Sequence, residues 1–243
     1  MPEKAHLDHS HHPDAIAERL AIGPQVNYLR DWVYGGIDGA ITTFAIVAGV
    51  VGANLPIRVV LILGAANLLA DGFSMAAANY SGTKSELDDY RRIRKIEERH
   101  IDLYPEGERE EIRQIYISKG FEGDDLDKMV TLATSSKEHW LDLMLTEEYG
   151  LSNVQRSPIR SAMATFLAFV LAGFVPLIPF IAGLEHAAIL ATVMTGAVFL
   201  LIGSIKSLWS TQHWLWSALE TLGIGLGAAL MAYLIGDFLG RFI

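Results

Sequence analysis

Two apolar runs that carry acids in their middle constrain this chain more than anything else in it. Residues 33–53 (VYGGIDGAITTFAIVAGVVGA) and 57–80 (IRVVLILGAANLLADGFSMAAANY) are each long enough to cross a bilayer core, which takes about 20 residues of helix. Three more apolar runs follow, at about 159–182, 186–206 and 214–238. The first run holds Asp38, and the second holds Asn67, Asp71, Met75 and Asn79, each four residues after the last. That spacing keeps the four side chains on one helical face, drifting slowly around it. A carboxylate at bilayer depth costs several kcal/mol, so such a residue usually faces a bundle interior or a wet path. Oxygen donors beside a soft thioether suit a transition cation better than Ca²⁺ or Mg²⁺. These five residues are therefore candidates for a metal-ion pathway. The plainer alternative makes the acids protonated packing residues or ion-pair partners, and Met75 a core residue. Two acid-bearing helices joined by the short turn Asn54-Leu55-Pro56 favour the pathway.

Five spans predict an all-α membrane protein, and 51% hydrophobic residues over 243 positions are too many for an ordinary soluble domain. A net charge of −9 argues against a nucleic-acid partner and suits attraction of cations. There is no cysteine, which excludes disulfides and thiolate metal sites. We find no nucleophile–base pattern and no glycine-rich phosphate loop, so an enzyme, or one with an organic cofactor, is not expected.

Residues 1–30 read as a polar tail in which His6, His9, His11 and His12 cluster, and such a tract can bind metal loosely. No apolar stretch in it resembles a cleavable signal peptide. Residues 15–30 predict a short amphipathic helix at the membrane interface. Residues 31–80 then hold the first two spans, 81–157 a charged insertion, and 158–243 the last three spans. Arg19 and Arg30 precede the first span, and Arg91, Arg92, Arg94, Lys95, Arg99, Arg156 and Arg160 lie between the second and third. The other connections are poorer in basic residues, which predicts a cytoplasmic N-terminus and a cytoplasmic insertion. A bacterial-type inner membrane is the expected location. Gly35 with Gly39, and Gly223 with Gly227, are small residues at helix-packing spacing. Pro176 and Pro179 predict a kink in the third span.

Three helices are expected in the insertion, at about 84–103, 106–119 and 124–149, with Pro105 and Gly120 as punctuation. Glu97 and His100 are three apart, as are Glu108 and Glu111, while Met144 and Glu148 are four apart. Each pair shares one face of its helix, and the three faces can converge on a first-row ion such as Fe²⁺. The alternative is a set of solvated helix faces. The single Glu97-x-x-His100 is half of the paired motif that a di-iron bundle needs.

On these residues the chain resembles the vacuolar iron transporter family. The resemblance rests on Asp-Gly-x-x-Thr-Thr-Phe (Asp38–Phe44), Ala-Asp-Gly-Phe-Ser-Met (Ala70–Met75) and Pro-Leu-Ile-Pro (Pro176–Pro179). It extends through Tyr104-Pro105-Glu106 and Tyr116-x-x-Lys119-Gly120-Phe121 to Met144 and Glu148. It implies a five-span homodimer that moves Fe²⁺, and often Mn²⁺, out of the cytoplasm in exchange for protons; Mn²⁺, Zn²⁺ and Co²⁺ are further ions that such ligands can bind. It also implies a membrane metal site at Asp38 and Met75, and cytoplasmic ligands at Glu97, Glu108, Glu111, Met144 and Glu148. His100 stands where a glutamate is common in the family. Asn67 stands where a carboxylate is found in relatives, and Ala78-Asn79-Tyr80 replaces the usual Gly-acid-Tyr. A membrane-anchored iron buffer or sensor without transport is the alternative function.

Overall fold

A computed structural model describes residues 10–242; His6 and His9 of the His-rich tail lie outside them. Ten α-helices are seen among these residues. They are α1 (Pro13–Ile22), α2 (Leu29–Gly52), α3 (Ile57–Leu103), α4 (Pro105–Ser118), α5 (Gly123–Ala133), α6 (Lys137–Glu147), α7 (Pro158–Phe174), α8 (Ile178–Ile181), α9 (Ala187–Ser207) and α10 (Trp214–Gly240). The chain divides into two compact units. One joins Leu87–Arg156 to the residues up to Asn27; the other joins Tyr28–Glu86 to Ser157–Ile243.

The second unit is the membrane unit. Five helices are long and apolar enough to cross a bilayer: Leu29–Gly52, Ile57–Leu103, Pro158–Ile181, Ala187–Ser207 and Trp214–Gly240. The third bends as its prolines require. Without a donor at Pro176 the α-helix gives way to a 3₁₀ turn over Val175–Leu177, and α8 restarts with Pro179 in its first turn. Inside the unit α2 packs against α7, α9 and α10. The crossing with α7 is made backbone to backbone: a Cβ on Gly35 would lie 2.2 Å from the Thr165 carbonyl oxygen, and one on Gly39 2.2 Å from that of Phe169. Gly236 of α10 meets Gly49 of α2 in the same way. The second expected stripe behaves differently, because Gly223 and Gly227 are exposed and meet nothing within 4 Å. Phe44, Val47, Val60, Leu68, Phe169 and Leu177 fill the core between the crossings.

In the soluble unit, Ile101, Ile112, Tyr116, Leu126, Val130, Trp140, Leu141 and Met144 form one apolar core. Ion pairs set the register around it: Arg94 to Glu138 at 2.7 Å, Arg113 to Asp127 at 2.7 Å, Lys119 to Glu147 at 2.5 Å, and Lys137 to Asp102. Half-exposed pairs like these contribute about 0–1 kcal/mol each, so the core holds the unit and the charges orient it.

Three helix boundaries depart from the sequence expectation. The second span and the first helix of the insertion are one 47-residue helix, and the boundary between the units falls inside it. Ser81-Gly82-Thr83 is too weak a break: one glycine costs about 1 kcal/mol against alanine, and there is no proline. The helix expected at 124–149 is two, α5 and α6. Thr134 and Ser135 turn their hydroxyls back onto the carbonyls of Val130 and Leu132, which offers the backbone an alternative to continuing the helix. The N-terminal helix covers Pro13–Ile22 rather than 15–30, stopped by Gly23 at φ 69° and Pro24.

The glycine crossing gives a direct test. Gly35→Val should lower the stability of the detergent-solubilised protein by about 1–3 kcal/mol through overpacking, read as a fall in its unfolding temperature. Gly223→Val should leave that temperature unchanged.

Candidate metal centre

One helix start and two helix ends bring the acidic residues of the soluble unit together. Pro105 at the first position of α4 fixes the chain where Glu106 and Glu108 complement the positive helix N-terminus. Glu97 and His100 lie in the last two turns of α3, and Glu148 caps α6. Two sets of ligand atoms converge, Glu97–His100–Glu108 and Glu97–Glu111–Glu148, each with its atoms within 4.8 Å of one another. Glu97 is common to both. The centre has a buried floor, Glu97 at 1% and Glu108 at 5% exposure, and an exposed rim of His100, Glu111 and Glu148.

The hydrogen-bond inventory of the floor is incomplete in a way that suits a cation. His100 Nδ1 lies 3.3 Å from Glu108 Oε1 and 3.9 Å from Glu97 Oε1. Tyr149 donates its phenol to Glu97 Oε1 at 2.9 Å. Glu108 Oε2 is buried with no partner, and an unsatisfied buried carboxylate oxygen costs free energy that a cation would return. Burial, then the charges of Glu111 and Glu97, push the Glu108 carboxyl up to about 8. Burial and the same kind of repulsion, from Glu111 and Glu97, raise Glu148. Tyr149 is raised by burial and by its bond to Glu97, so the phenol stays a donor. A dication bound here would replace protons, supplying the positive charge that these carboxyls otherwise take from solvent. Met144, also a candidate ligand, is fully buried in the apolar core of this unit beside Ile112 and Leu141.

The membrane unit carries the other candidates. Asn67, Asp71, Met75 and Asn79 run along one half-buried edge of α3, beside the buried line Gly64, Leu68, Gly72 and Ala76. Asp38 on α2 is half-buried too and close enough to Asp71 for their charges to interact. Met75 packs against the apolar core. The two amides are committed to binding helices together. Asn67 Nδ2 donates to Thr42 Oγ1 at 3.0 Å and to Thr43 Oγ1 at 3.2 Å, and Thr42 in turn donates to the Asp38 carbonyl at 2.9 Å. Asn79 Nδ2 donates to Asp31 Oδ1 at 2.8 Å, Thr165 Oγ1 at 2.7 Å and the Ser161 carbonyl at 3.3 Å.

Sequence reasoning missed Asp31, Thr165 and Tyr149. Asp31 is 1% exposed and seven residues before Asp38, on the same face of α2. That spacing was the available signal; its place before the apolar run hid it. Tyr149 adjoins Glu148, but an aromatic beside an acid has no helical-spacing signature. Thr165 gave no signal at all.

A five-span helical bundle, with a soluble unit in which glutamates and a histidine converge, defines an integral membrane protein with a carboxylate–imidazole centre. The model of the VIT family matches residues 29–237, and the chain belongs to that family. Its relatives include vacuolar iron transporter 1 of Oryza sativa subsp. japonica, 34% identical over 228 residues, covering 93% of this chain and 88% of the relative. The vacuolar iron transporter of Centaurea cyanus is 32% identical over 208 residues, covering 84% and 85%. That of Plasmodium berghei (strain Anka) is 30% identical over 243 residues, covering 95% and 88%.

Because the Glu108 carboxyl titrates near 8 when folded and near 4.5 when not, its ionisation opposes folding increasingly across that window and costs nothing below it. Glu108→Gln should therefore raise the unfolding temperature of the metal-free protein at pH 8.5 and converge with wild type near pH 4.5. In wild type at pH 7, isothermal titration in two buffers of different ionisation enthalpy should show proton release as a dication binds.

Proposed function

We propose that this protein carries Fe²⁺ out of the cytoplasm across its membrane in exchange for protons, with Mn²⁺ as a second cargo. The observation that carries the reading is the soluble centre, whose buried Glu108 Oε2 lacks a partner beside Glu97 and His100. The relatives' names supply the ion. In this reading Glu97, His100, Glu108, Glu111 and Glu148 gather the ion from the cytoplasm, with Met144 as a soft ligand. Asp38 and Met75 then hold it within the membrane. A proton and a dication compete for the same carboxylate oxygens, so alternating protonation of Asp38 couples the two flows. Since the Asn67 and Asn79 amides cannot titrate and already bridge helices, coupling falls to Asp38 and Asp71.

Two copies form the working transporter in this reading. Within one copy, Asp38 and Asp71 are half-exposed at bilayer depth, where contact with lipid is costly. A second copy laid against that edge of α3 would cover the acids and make a shared path. The basic connections put the N-terminus and the soluble unit in the cytoplasm. The relatives are named for the vacuole, whereas the sequence alone suggested a bacterial-type inner membrane; export from the cytoplasm is common to both.

Fe²⁺ flux into sealed proteoliposomes containing a pH dye tests the proposal. Wild type should move metal and protons in opposite directions, and Asp38→Ala should abolish both. Glu108→Gln with Glu111→Gln should raise the apparent KM several-fold and leave the saturating rate nearly intact. Normal transport by Asp38→Ala would refute the membrane site. Metal bound by wild type with no flux would identify a buffer or sensor.

A further inference from the structure

We propose that Tyr149 is a positioning residue for divalent-cation binding, its phenol holding Oε1 of Glu97 and so fixing the rotation of the carboxylate that both ligand groups share. This rests on the metal-centre reading above and adds to it a residue that is not itself a ligand. Glu97 belongs to both converging groups, so its orientation decides the geometry of either. A carboxylate that is 1% exposed and shared in this way needs something to fix its rotation, and Tyr149 Oη sits 2.9 Å from Oε1. The tyrosine itself is held in place by its backbone. The Glu148 amide bonds the Met144 carbonyl at 3.0 Å and the Leu151 amide the Leu145 carbonyl at 2.8 Å. Between them Gly150 turns at φ 65°, a conformation that favours glycine.

A purely structural role fits poorly. Tyr149 is 40% exposed and outside the apolar core, so its ring fills no cavity. Its hydroxyl reaches a buried carboxylate. The donor is also of an apt kind. A lysine or arginine would orient Glu97 equally well, but its positive charge would repel the incoming cation. A neutral phenol orients the carboxylate and leaves its charge for the metal.

The test uses the full chain in detergent with Co²⁺ as the probe, because its d–d absorption reports ligand geometry. Wild type, Tyr149→Phe, Tyr149→Leu and Glu97→Gln are compared; the part of the signal lost in Glu97→Gln is assigned to this centre. Loss of a group that orients a metal ligand typically weakens binding about 10- to 100-fold. Tyr149→Phe should fall in that range and shift the d–d bands, with the unfolding temperature of the metal-free protein unchanged. Tyr149→Leu should cost no more than Phe, since the hydroxyl and not the ring is what acts. Unchanged affinity and bands in Tyr149→Phe would overturn the proposal. So would a much larger loss in Leu than in Phe, which would make the role one of packing. A visible phenolate-to-iron band with Fe³⁺, absent from Tyr149→Phe, would make Tyr149 a ligand and also overturn it. If wild type shows no Co²⁺ signal that depends on Glu97, the metal-centre reading fails and takes this one with it.

Discussion

The membrane unit depends on one contact, the backbone-to-backbone crossing of α2 and α7 at Gly35 and Gly39. In a bilayer, helices gain little by burying apolar surface against one another, so close van der Waals approach and inter-helix hydrogen bonds must hold them. The crossing provides the first and makes the second possible. With α7 this near, Thr165 and the Ser161 carbonyl come within reach of Asn79, and the same amide bonds Asp31. Asp38 lies between the two glycines in sequence and takes its place in the bundle from the same contact. Residues of no chemical reactivity thus place those that have it.

In the soluble unit the balance is different. Here the apolar core is ordinary, and the unusual element is a set of like charges kept close together. Glu97 and Glu108 are buried, and the charges of Glu111, Glu97 and Glu148 add to burial in raising the Glu108 carboxyl. Such a set is stable only with protons or a cation on it. Helix ends, which fix the chain more tightly than loops, are what hold the carboxylates against their repulsion: Pro105 opens α4, and the closing turn after α6 carries Tyr149.

Much of this was legible in the sequence, for definite reasons. Five spans are read from length and polarity, since a bilayer admits few other solutions. The pairs Glu97–His100 and Glu108–Glu111 were found from the helical period, and both contribute to the converging sets. What was not legible depended on distant parts of the chain or on weak local preferences. Nothing in Ser81-Gly82-Thr83 announces that α3 runs on, because a single glycine lies near the margin between break and continuation. Nothing around Gly223 and Gly227 reveals that they meet no neighbour in the chain, whereas Gly35 and Gly39 do. Asn67 and Asn79 looked like pathway residues from their period. Their threonine and aspartate partners, on other helices, show them also to be ties between helices.

The shared position of Glu97 has a consequence for how ions are held. Two ligand groups draw on a single carboxylate, and one of its oxygens is already engaged by a phenol. Ions held in both groups at once would repel each other across the carboxylate they share, so occupancy of one would weaken the other, and reciprocally. A chelator built for storage avoids such competition by giving each ion its own ligands. A relay benefits from it, since an arriving ion loosens the one already there. The crowding of these glutamates suits rapid turnover of bound ions better than tight retention.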